Sequence, residues 1–96
     1  MHPQLTALGQ AYFHQDFDME ADTPIGVVEK FRQLEAPEST AALRAEILSI
    51  VEAGLNDDDI AEIWFEEAGA CYDPRYQGLS LQDWMHRMSE TLTERH

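Results

Sequence analysis

The sequence predicts an all-α fold, a single small domain of about five helices packed as a bundle or orthogonal array. Three observations lead there. Apolar residues recur at three- and four-residue spacing through five stretches of the chain, as they do in helices with one buried face. Short breakers carrying proline or glycine separate those stretches. A length of 96 residues with 44% hydrophobic content suffices for one core without staples. With no repeat, low-complexity tract or long linker, residues 1–96 are expected to form that one domain.

The first helix is expected over Pro3 to Tyr12, with Leu5, Leu8 and Tyr12 on one face and Pro3 tolerated in the opening turn. A helix end and loop should follow, with a short extended piece over Ala11 to Phe17 as the lesser alternative. The second helix starts at Thr23, a good N-cap, with Pro24 at the first helical position. Its stripe is Val27, Val28, Phe31 and Leu34, and Pro37 ends it. The third runs from about Glu38 to Ala53 with Leu43, Ile47, Ile50 and Val51 on one face, and Gly54 stands where a left-handed C-terminal cap is expected. The fourth opens at "NDDD", capped by Asn56 or Asp57, and buries Ile60, Ile63, Trp64 and Ala68 before Gly69. The fifth begins at Ser80, whose pairing with Asp83 resembles a capping box, and repeats Leu81, Trp84, Met85, Met88 and Leu92 at helical spacing. Between the last two helices, "ACYDPRYQG" reads as a loop.

Charge sets the function classes to exclude. Nineteen acids against six bases give a formal net charge of −13. Such a surface repels nucleic-acid phosphates and anionic membranes and attracts cationic proteins quickly. No segment approaches the roughly 20 apolar residues a membrane-spanning helix needs. "MHPQLTALGQ" lacks the basic flank and apolar run of a signal peptide. The single cysteine, Cys71, allows no intrachain disulfide, which suits a reducing compartment, so a cytoplasmic protein is expected. Cys71 itself, between Ala70 and Tyr72, reads as a small buried residue rather than a nucleophile, because no base precedes it and nine acids lie between Arg44 and Arg75.

The stretch "AYFHQDFDMEAD" carries the densest chemistry. As an EF-hand loop starting at Asp16, it supplies Asp16, Asp18 and Glu20 at positions 1, 3 and 5 but Ala21 and Val27 at positions 6 and 12. The turn glycine and the bidentate glutamate are both missing. Zinc has no better footing, since His14, Cys71 and His86 share no ligand spacing. His14 beside Asp16 could serve as a base with its orienting carboxylate, yet no nucleophile elbow or phosphate loop accompanies it. Tyr12, Phe13 and Phe17 are expected in the core, with His14 bonding a neighbouring backbone group. No catalytic residue, metal or cofactor is expected, and a small metal-binding protein or hydrolase built on His14, Asp16 and Asp18 stands as the alternative.

Two acidic runs remain. One is Asp16, Asp18, Glu20 and Asp22; the other is Asp57, Asp58, Asp59, Glu62, Glu66 and Glu67, inside a stretch from Glu46 to Asp73 with no lysine or arginine. On a regular helix Asp59, Glu62 and Glu66 share a face opposite the apolar stripe. Solubility asks for a net charge of only about 2–8 in a small domain, and any surplus costs stability through self-repulsion. A cationic partner explains that surplus, and an acidic adaptor for some other basic protein is a further reading. Tyr72 and Tyr76 are expected to be exposed and to anchor the contact.

"YFHQDFD", the acidic gap after it, "TPIGVVEKF" and "YDPRYQGLSLQDWMHRM" together resemble the immunity proteins of bacterial contact-dependent growth inhibition systems, over about Leu8 to Met88. Phe17 stands where tryptophan is expected in that group. The resemblance implies a cytoplasmic, non-enzymatic protein, monomeric until it binds the C-terminal toxin domain of a delivered exoprotein, often a nuclease with a basic cleft. It carries over to Tyr12, Phe13, His14, Gln15, Asp16 and Asp18 as a motif without assigning them a role. Tyr12, Phe13, His14 and Gln15 are expected to hold the fold.

Overall fold

The structure, a computed structural model, describes residues 2–14 and 23–93. In chain order it comprises α1 (Pro3–Ala11), α2 (Pro24–Leu34), α3 (Pro37–Glu52), α4 (Asp57–Ala61), a π-helical segment (Glu62–Glu67), a 3-10 turn (Pro74–Gln77) and α5 (Leu81–Thr93). Among the described residues there is no strand. Ala11 closes α1 and Tyr12 caps it. The rest of the extended alternative, residues 15–17, lies outside the described residues, as does the expected burial of Phe17.

Local chemistry sets most boundaries. The Thr23 hydroxyl accepts from Gly26 N at 3.0 Å, Asn56 Oδ1 from Asp59 N at 2.9 Å, and Ser80 Oγ from Asp83 N at 3.0 Å. Each satisfies an amide that the first turn of a helix leaves unpaired. Gly54 and Gly69 take φ of 68° and 72°, a left-handed backbone that side chains with a Cβ disfavour, so the chain leaves its helices there.

Two caps come from far along the chain. The Glu46 carboxylate on α3 accepts from Gln4 N at 3.0 Å and Leu5 N at 2.9 Å, clamping the start of α1. Asp57 accepts from Leu81 N at 3.1 Å and Gln82 N at 3.2 Å, doing the same for α5. Replacing Glu46 with alanine removes the carboxylate that caps α1. A loss of about 0.5–2 kcal/mol is expected in urea denaturation, the usual worth of a capping side chain. An unchanged midpoint would show the clamp to be idle.

The α3–α5 pair forms the spine, with α2 against α5 and α1 against α3. Their stripes meet in one core that includes Leu5, Leu8, Val27, Val28, Phe31, Leu43, Ile47, Ile50, Met85 and Met88. An aromatic knot occupies its centre. Phe13 lies 5.2 Å from Trp64 and 5.8 Å from Trp84 edge-on, and 5.7 Å from Tyr72 in a stacked pair. The Trp64 indole N–H donates to the Tyr72 carbonyl at 2.7 Å, so the buried ring leaves no polar atom stranded.

Three expectations change. Leu34 is 64% exposed, and Tyr12 packs at the end of α2 in its place. The Tyr12 ring packs edge-on to Phe31, and its hydroxyl donates to Glu35 at 2.7 Å. Val51 and Ile63 are only half-buried at the margin of the core. The second half of the fourth helix is also not α: Ala68 N reaches back five residues to Ile63 O at 2.8 Å. Where that segment ends, α1 crosses it closely. A Cβ on Gly9 would fall 2.4 Å from the Ala68 carbonyl oxygen, so only glycine permits the approach.

Candidate functional site

The second acidic run divides in two once its partners are known. Asp57 is half-buried and spent on the amides of Leu81 and Gln82, so it belongs to the scaffold rather than to a free surface. Glu67 meets the His2 ring at 3.0 Å, and that hydrogen bond holds its carboxyl below the usual carboxylate range. Asp58, Asp59, Glu62 and Glu66 are exposed. The shared face expected for Asp59, Glu62 and Glu66 assumed α-helical spacing. Glu66 instead follows the wider π turn, which breaks the strict register. Wider turns of this kind often accompany functional surfaces.

Beside this strip stands the 3-10 turn. Asp73 Oδ1 accepts from Arg75 N at 3.0 Å, and the Arg75 guanidinium grips the same carboxylate through Nε and Nη2, each at 2.9 Å. That grip lowers the Asp73 pKa and raises that of Arg75. The guanidinium also lies 5.5 Å from the centre of the Phe65 ring, tying the turn to the π segment. Tyr76, the next residue, is 90% exposed. It is presented on a pinned backbone beside acidic residues, which suits an interface anchor.

Tyr72 does not join it. Only 5% of its surface is accessible, its ring stacks on Phe13, its hydroxyl donates to Gln77 at 2.7 Å, and burial pushes its pKa up. Cys71, expected to be buried, is exposed. One cause accounts for both corrections. In this non-helical stretch burial alternates, with Ala70 and Tyr72 in and Cys71 out, while Cys71 N donates to Phe13 O at 2.7 Å.

In the N-terminal motif, Tyr12 and Phe13 lie in the core and His14 is half-buried. Gln15, Asp16, Asp18, Glu20 and Asp22 lie outside the described residues. Among the described residues, no three His, Cys, Asp or Glu side chains gather as a metal centre would require. Among the same residues, no helix is long and apolar enough to cross a membrane. The sequence does not mark Glu46 as a cap and offers Asp57 only as a candidate cap of its own helix, where Asn56 serves instead, since a carboxylate that caps a distant helix leaves no local pattern.

The family described as CdiI immunity protein matches residues 1–92. The chain belongs to the CdiI immunity protein family. Membership makes it an immunity protein of a contact-dependent growth inhibition system, with an inhibitor's role rather than a catalyst's. Among solved structures, the CdiI-family chain is similar to a chain in the "Crystal structure of CdiA-CT/CdiI complex from Y. kristensenii 33638". The TM-score is 0.87 at 22% identity, over 96% of this chain and 98% of that one. A likeness at that identity speaks to fold. No curated protein matches the chain.

Proposed function

We propose that this CdiI-family protein works in the cytoplasm, where it binds the C-terminal toxin domain of a cognate contact-dependent growth inhibition exoprotein and neutralises it by covering its working surface. The family match over residues 1–92 carries this reading. The similar structure is itself titled a CdiA-CT/CdiI complex, which supports a toxin domain as the partner.

The contact surface proposed is the strip of Asp58, Asp59, Glu62 and Glu66, with Tyr76 as its aromatic anchor and the run from Asp16 to Asp22 as a second acidic contribution. Asp57 caps α5 beside the strip, and Glu67, exposed, is engaged by His2. Carboxylates set in this way can occupy a cleft built for phosphates, so the toxin is expected to be basic and a nuclease. The −13 charge steers encounter, and the buried centre of the contact sets the lifetime of the complex.

Mixing the chain with the toxin domain encoded beside it tests the reading. A one-to-one complex that abolishes toxin activity at equimolar ratio is expected. Full toxin activity in the presence of excess immunity protein would overturn it.

A further inference from the structure

Six basic residues serve a chain of nineteen acids, so each should find a carboxylate with ease. Arg75 does so in Asp73. Arg44 does not. Its Nε donates to the Thr93 hydroxyl at 2.5 Å, and among the described residues its guanidinium meets no carboxylate. Instead it lines an open groove of about 430 Å³ where the end of α2, the start of α3 and the end of α5 converge. Arg32 lines the same groove, so two of the six bases of a strongly acidic protein face one concavity.

A third polar group completes it. Thr40 lies in the groove wall only 9% exposed, and its hydroxyl has no hydrogen-bond partner among the described residues. A buried hydroxyl without a partner carries an uncompensated desolvation cost, which a ligand bound in the groove would offset. The groove also starts at the first turn of α3. The N-cap there, Ala36, offers no side chain to its amides, and the helix dipole adds partial positive charge. Glu38 in that turn offsets part of the dipole but is exposed. Pro37, Ala41 and Leu92 supply apolar walls that exclude water and strengthen charge-assisted bonds.

We infer that Thr40 and Arg44 form an oxyanion-binding site for a phosphate or carboxylate group, separate from the acidic strip. A forked guanidinium beside a hydroxyl donor is the donor set such a group requires. The anion is either a free phosphate or a carboxylate borne by the toxin domain.

Titrating the isotope-labelled protein with inorganic phosphate at constant ionic strength, followed by amide NMR shifts, tests the site without any toxin. Saturable shifts confined to Thr40, Ala41, Arg44 and Thr93 are expected. Arg44→Gln should weaken the affinity at least about tenfold, as loss of a charge-assisted hydrogen bond does. Thr40→Val, nearly equal in shape, should weaken it severalfold, whereas Arg75→Gln should leave it unchanged. Non-saturating shifts scattered over all basic residues, or full affinity in both groove variants, would overturn the site. Adding toxin then separates the sources. Competition with phosphate and a looser Arg44→Gln complex identify a toxin carboxylate, while independent binding identifies a free anion.

Discussion

Phe13→Ala is expected to cost about 3–5 kcal/mol of folding stability, the range for removing a fully buried phenylalanine ring. Phe13 has no accessible surface and touches Trp64, Tyr72 and Trp84 at once, so its loss opens a cavity that three large, rigid rings cannot collapse to fill. The carbonyl of Phe13 also holds Cys71 N, so disorder at the ring spreads to the segment that presents the 3-10 turn. A domain of this size has only about 5–15 kcal/mol in total, so the variant should sit near its unfolding threshold at 37 °C. Urea unfolding followed by tryptophan fluorescence checks it. A loss below about 1 kcal/mol would mean that the aromatic knot is not the centre of the core.

Gly9→Val is expected to destabilise by about 1–3 kcal/mol or more, although it adds apolar bulk to a helix and valine has the better helix propensity. The gain in propensity, below about 1 kcal/mol, is outweighed by the contact. The added Cβ alone would fall 2.4 Å from the Ala68 carbonyl oxygen and 3.0 Å from its carbon, and that backbone cannot swing aside as a flexible side chain could. The junction of α1 with the π segment must open instead, and thermal unfolding should record a lower midpoint. A more stable Gly9→Val would show that the two backbones are free to separate.

Five helices were legible in the sequence because periodicity and caps are local. Thr23, Asn56, Ser80 and Gly54 announce their roles within a few residues. What escaped depends on contacts between distant segments. Glu46 looks like any other acid until α1 is brought to it, and Asp57 looks like a cap of its own helix until α5 is. Gly9 reads as an indifferent helix position until Ala68 lies against it. Residue type alone puts Cys71 inside and Tyr72 outside, whereas the alternation of the chain between Ala70 and Tyr72 reverses the two. The π turn places Glu66 off the α-helical register, and neither residue types nor spacing announce it.

These corrections bear on the acidic surface. Substituting Asp57 along with Asp58 and Asp59 would mix loss of a helix cap with loss of surface charge. The informative variant changes only exposed carboxylates: Asp58→Asn, Asp59→Asn, Glu62→Gln and Glu66→Gln. It lowers the net charge from −13 to −9 while leaving the Asp57 and Glu67 contacts intact. The most direct measurement is the association rate of this variant with the cognate toxin domain, read by stopped flow from low to high salt. The wild type should associate fast at low salt and slow steeply as salt rises. The variant should be slower by about tenfold at low salt and converge with the wild type at high salt. Equal rates and equal salt slopes for the two proteins would contradict a toxin contact made through this strip.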